Sequence, residues 1–255
     1  MRVALTIAGS DPSGGAGIQG DLKTFHAHGV YGMAVVTALT AQNTRGVTGV
    51  HVPPAEFLRR QLETVLDDMP VHAAKTGMLP DAAAIDAVVR VLAERPIRKL
   101  VVDPVMVATS GAALAEAGAP LQRLFPYAAL ITPNLPEAEA LLGRRIATRD
   151  DMIRAARDLD ARAVLLKGGH LAGDRVVDVL RVGREIQVFS GRRIDTPHTH
   201  GTGCALAAST AARFALGDDV YEAVASARAF VRRGIQAAVV LGQGNNPLNH
   251  LDAGA

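Results

Sequence analysis

VALTIAGSDPSGGAGIQGDLKTF, residues 3–25, runs from an apolar segment through a glycine-rich turn into a segment of helical period. Val3 to Ala8 reads as a buried strand, because a short apolar run bounded by turn residues fits a strand covered on both faces. Ile18, Leu22 and Phe25 then recur at i, i+4 and i+7, the spacing of one helix face. Strand, turn and helix make the first half of a βαβ unit, and the alternation continues downstream. Met33 to Leu39, Leu100 to Val102, Leu130 to Thr132 and Val164 to Leu166 read as further buried strands. Leu58, Leu62, Val65, Leu66 and Met69 mark an amphipathic helix. Two alternating segments between Val176 and Ile194, separated by Gly183, predict an antiparallel hairpin at a sheet edge. Gly201 to Leu216 and Val220 to Ile235 read as consecutive helices, and the tail from Gly242 as a loop. The expectation is a single α/β domain over residues 1–255, with a mainly parallel sheet, helices on both faces and sites beyond the carboxyl ends of the strands.

Composition narrows the class. With 49% apolar and 20% charged residues, the 255-residue chain can bury a large core and is too hydrophobic for a disordered one. Net charge is +2, the basic residues are interleaved with acidic ones, and aromatics make up 4% with no tryptophan, which argues against nucleic acid as a partner. No run of apolar residues is long enough to span a membrane. One cysteine and an apolar N-terminal run too short for a signal peptide point to a reducing cytoplasm.

Residues 15–20, GAGIQG, match the G-x-G-x-x-G dinucleotide fingerprint in the right context. No acidic residue stands between Asp21 and Glu56 to hold a ribose, which argues against that reading. Asp21 itself either faces a ligand or complements the helix dipole. No lysine follows a glycine, so the P-loop signature is absent. Thr199-His200-Gly201-Thr202-Gly203-Cys204 opens an alanine-rich helix, and its amides could cradle a phosphoryl group; a glycine-assisted helix start without a ligand is the plain alternative. Cys204, the lone thiol, is expected at a helix N-terminus, where partial positive charge favours thiolate, unless it is a small buried apolar residue. Gln42, Asp103, Asn134 with Glu137, and Lys167 fall just after strands. Asn134 and Glu137 have capping-box spacing, yet together these groups could hold hydrated Mg²⁺ against phosphates while Lys167 neutralises charge.

Seven ordered blocks, AGSDPSGGAG (8–17), TALTAQNT (37–44), GML (77–79), VDPVM (102–106), ITPNLPE (131–137), KGGH (167–170) and THGTGC (199–204), resemble the hydroxymethylpyrimidine/phosphomethylpyrimidine kinases of thiamine biosynthesis. Single blocks are shared with the wider ribokinase-like superfamily and with vitamin B6 kinases. The resemblance implies a three-layer αβα ribokinase-like fold with a mostly parallel sheet. It also implies a homodimer, and ATP with Mg²⁺ as phosphoryl donor to 4-amino-5-hydroxymethyl-2-methylpyrimidine and then to its monophosphate. By motif position, Gln42 and Asp21 would hold the pyrimidine edge, with Met78 against the ring and Gly9 beside it. Asn134, Glu137 and Asp103 would organise Mg²⁺. Lys167, Asn134 and Thr202 would contact ATP, with Gly201, Thr202, Gly203 and Cys204 as the anion hole and Cys204 standing where many relatives have an aspartate base. The stretch from Gly242 to Pro247 departs from the family's usual ending, and no ligand is expected there. A pyridoxal or pyridoxine kinase is the nearest alternative, and a catalytically silent binding protein on the same fold is a more distant one.

Overall fold

The structure, a computed structural model, describes residues 1–106 and 120–253. Nine strands form one sheet: β1 Val3–Ser10, β2 Tyr31–Asn43, β3 Gly46–His51, β4 Ala73–Thr76, β5 Leu100–Val102, β6 Leu130–Ile131, β7 Ala163–Leu166, β8 Arg175–Val182 and β9 Glu185–Arg192. Their order is β3-β2-β1-β4-β5-β6-β7-β8-β9. The six strands from β2 to β7 are parallel, and both edges close with antiparallel pairs. The helices are α1 Gly17–Ala27, α2 Ala55–Asp68, α3 Ala82–Glu94, α4 Leu135–Leu142, α5 Arg149–Asp158, α6 Thr202–Leu216, α7 Val220–Gln236 and α8 His250–Ala253.

Period-two alternation sorts the helices into two layers. Val3, Leu5 and Ile7 of β1 join a core with α2, α3, α4 and α5. On the other side Ala4 of β1, with Ala73, Val101 and Leu165, packs beneath α1, α6 and α7. This is the three-layer αβα architecture expected from the sequence. The hairpin at Gly183 and the helices α6 and α7 fall where the apolar pattern put them.

Two differences bear on the site. The second strand extends to Asn43 and pairs with β3, a glycine-rich and mostly exposed strand without a clear apolar alternation, so Gln42 lies inside a strand and not after one. The short β4 was not legible, because a lysine at its third position hides a strand only four residues long.

The chain turns from one side of β1 to the other between β2 and β4, and at such a switch point the strand ends leave a crevice. The loop after β1 fills the crevice mouth and meets the start of α6 there. Gly201 adopts φ 78°, and a Cβ at that position would lie 1.9 Å from the Gly15 carbonyl oxygen. Beside it, His200 Nε2 lies 2.7 Å from Asp11 Oδ2. Gly201→Ala is therefore expected to cost about 3 kcal/mol through left-handed strain and overpacking, read as a lowered midpoint of urea unfolding. An unchanged midpoint would show that the junction yields freely.

Candidate active site

The crevice widens into a cleft of about 1280 Å³ that runs along the carboxyl ends of the parallel strands to the β8–β9 hairpin. At one end stand Gly9, Gln42, Gly77 and Met78. Met78 is held by Thr37 Oγ1, which donates to its carbonyl at 2.6 Å, and its sulfur would lie 2.9 Å from any Cβ at position 9. Thr40 Oγ1, which donates to the Ser10 carbonyl at 2.8 Å, lies 3.2 Å from Gln42 Oε1.

The floor of the cleft carries charges of alternating sign. Lys75 projects from β4 on the α1 and α6 side, fully buried, with Nζ 3.0 Å from Asp21 Oδ2. The same carboxylate oxygen accepts from Thr6 Oγ1 at 2.6 Å. Asp21 lies past the first turn of α1 and is not among the residues that line the cleft; its carboxylate faces Lys75. Burial pushes the Asp21 carboxyl up while Lys75 and Thr6 oppose it. Burial alone would lower Lys75, but Asp21, Cys204 and Asp103 hold its ammonium above the ordinary lysine value, so this cation persists at neutral pH.

Asp103, at the end of β5, accepts from Lys167 Nζ at 2.8 Å and from Thr132 Oγ1 at 2.9 Å, both at Oδ1. Glu137 and Asn134 form the capping box that their spacing predicted: Asn134 Oδ1 accepts from the Glu137 amide at 2.9 Å, and Glu137 Oε2 accepts from the Asn134 amide at 2.7 Å. The Asn134 oxygen thus serves the start of α4, whereas Glu137 Oε1 has no hydrogen-bond partner among the described residues, and both residues line the cleft. Burial pushes Glu137 up to about 7, with Lys167 opposing and Asp103 reinforcing. Two hard carboxylates on one cleft wall, one of them short of compensating charge, suit Mg²⁺ that takes its other ligands from water and phosphate. No cluster of three or more metal-ligating acids, histidines or cysteines occurs among the described residues.

Facing this wall, α6 starts at Gly201 with no acidic residue in its first turn. The amides of Gly201, Gly203 and Cys204 have no protein partner among the described residues, while that of Thr202 reaches the Thr199 carbonyl at 3.3 Å. Lys167 Nζ would lie 3.5 Å from a Cβ at position 203, so cation and amides converge on one point. Such an arrangement can cradle an anion.

Cys204 lies in this first turn, half-buried, with the Gly17 amide donating to its sulfur. Two helix starts, of α1 and α6, therefore meet at the thiol. The two helix starts do not decide the protonation of the thiol by themselves. Burial pushes the thiol up to about 11; Lys75 pulls it down, but Asp21 and Asp103 push against that pull, so desolvation outweighs the helix termini.

The profile of the family described as phosphomethylpyrimidine kinase matches residues 11–249. The chain belongs to this family. The hydroxymethylpyrimidine/phosphomethylpyrimidine kinase of Bacillus subtilis is 45% identical over 97% of the chain and 94% of its own length. The thiamine biosynthesis bifunctional protein ThiED of Geobacter sulfurreducens is 50% identical over 97% of the chain, which spans about half (52%) of that longer relative. The ADP complex of Bacillus subtilis pyridoxal kinase superposes with a TM-score of 0.89 at 40% identity, covering 99% of this chain and 98% of that one. Its ribokinase-like fold is this chain's fold.

The cleft of this phosphomethylpyrimidine kinase family member gathers the residues named from the sequence except Asp21; Lys75 and the Asp11–His200 bond that closes the crevice carry no signal in the sequence. Asp11 illustrates how strongly that bond is built. Burial favours its neutral form, yet hydrogen bonds from His200 and Ser13 hold the carboxyl down at about 2.

Two outcomes follow for the floor. Lys75→Met strands the buried Asp21 charge and is expected to cost about 3–5 kcal/mol in urea unfolding, most of it recovered by adding Asp21→Asn; equal losses in both variants would show that charge is not the cause. Between pH about 4.5 and 7 folded Glu137 keeps a proton that the unfolded chain has lost, so it makes the unliganded protein less stable as pH rises through that window. His28 and His250, held down at about 4 by burial, slope the other way in both proteins, so the comparison is of wild type with Glu137→Gln. The wild type should lose stability relative to the variant from pH 5 to pH 7; parallel profiles would contradict the assignment.

Proposed function

We propose that the cleft transfers the γ-phosphoryl group of ATP to the hydroxymethyl oxygen of 4-amino-5-hydroxymethyl-2-methylpyrimidine, and then phosphorylates the resulting monophosphate to the diphosphate. One observation carries the proposal: unpartnered amides at the start of α6, the Lys167 ammonium and the Asp103–Glu137 wall meet in the middle of a cleft whose two ends differ in chemistry. The acceptor end, with Gln42, Gly9 and Met78, offers a carboxamide able to both donate and accept beside a soft apolar surface, which suits a ring nitrogen next to an exocyclic amine. The opposite end, walled by Val176, Gly191, Arg228 and Arg232, takes the nucleoside.

In this reading the amides of Gly201, Gly203 and Cys204 receive the migrating phosphoryl group, and Lys167 balances its equatorial charge. When bound, Mg²⁺ held by Asp103, Glu137 and water shields the phosphate oxygens from one another. Lys75, fixed by Asp21 beneath Cys204, supplies positive potential where the acceptor oxygen becomes negative. Cys204 begins as a thiol. Because phosphoryl transfer passes through a loose transition state, late removal of the acceptor proton suffices, and the sulfur receives that proton only as thiolate, after the thiol has released its own proton to solvent.

The free thiol fits a reducing cytoplasm, and among the described residues no helix is long and apolar enough to cross a membrane. A homodimer is part of the proposal; Leu39, Val50, Val52 and Phe57, exposed on and beside the β2–β3 edge, are suited to meeting a second copy. Pyridoxal is a second acceptor to consider, because the B. subtilis structure that matches nearly the whole chain is named a pyridoxal kinase.

ADP release measured with the pyrimidine alcohol, its monophosphate and pyridoxal separates these readings. The expected order of kcat/KM places both pyrimidines above pyridoxal by about tenfold or more; the reverse order would make the protein a vitamin B6 kinase, and no release with any acceptor would make it a silent relative. Cys204→Ala should lower kcat while leaving the pyrimidine KM near its original value. If the thiolate is the base, wild-type kcat rises with pH toward the thiol value of about 11 and the rise disappears in Cys204→Ala. Full activity in the variant removes the base role.

A further inference from the structure

One carboxylate on the far wall serves two parts of the cleft at once. Asp178 stands on β8, 8% exposed, between the end of β7 and helix α7. Its Oδ1 accepts from the Gly168 amide at 3.0 Å, and its Oδ2 accepts from Arg228 Nε at 2.7 Å. Arg228 also lies over the Phe189 ring, with Cζ 4.7 Å from the centroid. Both Asp178 and Arg228 line the cleft, and the terminal guanidinium nitrogens of Arg228 have no protein partner among the described residues.

The two bonds differ in what they fix. Gly168 follows Lys167, whose own amide donates to the Pro133 carbonyl at 2.9 Å. Successive peptide units are thus gripped from opposite sides, by the segment after β6 and by β8. The grip is tight, since a Cβ at Gly168 would lie 1.9 Å from the Val177 carbonyl oxygen. Between those anchors the Lys167 side chain departs toward Asp103 and the first turn of α6. The bond to Arg228 holds a different element, α7, and gives a flexible cation one orientation on the wall assigned to the nucleoside.

We propose that Asp178 is a positioning residue with a separate task for each oxygen: Oδ1 sets the origin of Lys167 at the transfer centre, and Oδ2 sets Arg228 against the bound nucleotide. This rests on the reading that ATP occupies the β8, β9 and α7 end of the cleft. The tasks separate by substitution. Asp178→Asn keeps an oxygen for the Gly168 amide but turns an NH₂ group toward Arg228, whereas Asp178→Ala removes both partners.

The test is steady-state kinetics with ATP and the pyrimidine alcohol, together with calorimetric ADP binding, for wild type, Asp178→Asn, Asp178→Ala and Arg228→Met. Asp178→Asn and Arg228→Met should each raise the KM for ATP and the Kd for ADP about tenfold while kcat stays within about threefold. Asp178→Ala should show the same rise together with a fall in kcat of about thirtyfold or more. The pyrimidine KM should not move in any variant. A fall in kcat for Asp178→Asn equal to that for Asp178→Ala overturns the division of tasks, as does Arg228→Met with unchanged ADP binding. Should Asp178→Ala fail to fold, agreement between Asp178→Asn and Arg228→Met still supports the inference and a loss of kcat in Asp178→Asn alone still defeats it. A wild type that binds ADP but phosphorylates none of the acceptors would instead overturn the proposed function, while the ADP measurements would continue to test the Arg228 limb.

Discussion

At position 201 there is space for a hydrogen atom and nothing larger. The start of α6 lies so close to the loop after β1 that its backbone meets the Gly15 carbonyl directly, and the Asp11–His200 bond, spanning 189 residues of sequence, seals the contact. Everything proposed for this cleft depends on that junction. The acceptor end is built from the first two strands and β4, whereas the phosphate cradle belongs to a helix near the end of the chain. Only where the two backbones touch can an alcohol held by one lie within reach of a phosphoryl group held by the other.

The junction also concentrates charge. Two helix starts point at one thiol, a lysine is buried beneath it, and a second lysine stands across from it between two carboxylates. Lys75 is held by α1 and Asp103 by the residues that follow β6 and β7, while Glu137 is held by the capping box of its own helix. Such an array is costly to bury unless every charge has a partner, and here nearly every one does. The exceptions are informative. Glu137 is under-compensated, and the amides at the start of α6 have no protein acceptor among the described residues, so the protein alone leaves one wall short of positive charge and the other short of an anion. The proposed nucleotide phosphate with its divalent cation would correct both.

What could be seen in the sequence was whatever local chemistry determines. The βα unit at 3–27, the hairpin turning at Gly183 and the paired helices α6 and α7 follow from apolar period and glycine placement. The Asn134–Glu137 capping box follows from spacing alone. Other features are tertiary. Lys75 sits in a strand too short to show a period, and its role comes from Asp21, which a helix pattern can place on α1 but cannot aim. Cys204 stands at a helix start as its sequence context suggests, but burial of the thiol, which opposes the pull of helix termini toward thiolate, is set by the whole surrounding fold and has no local signal. The β3 strand, with two glycines and an exposed face, carried no signal that single-sequence reasoning can weigh.

The most direct test of the account is a crystal structure with a non-hydrolysable ATP analogue and the pyrimidine alcohol bound together. The terminal phosphoryl oxygens should accept hydrogen bonds from the Gly203 and Cys204 amides, with the alcohol oxygen beside the Cys204 sulfur and in line with the bond to be broken. Ligands seated on separate faces, or a terminal phosphoryl group away from the start of α6, would contradict it.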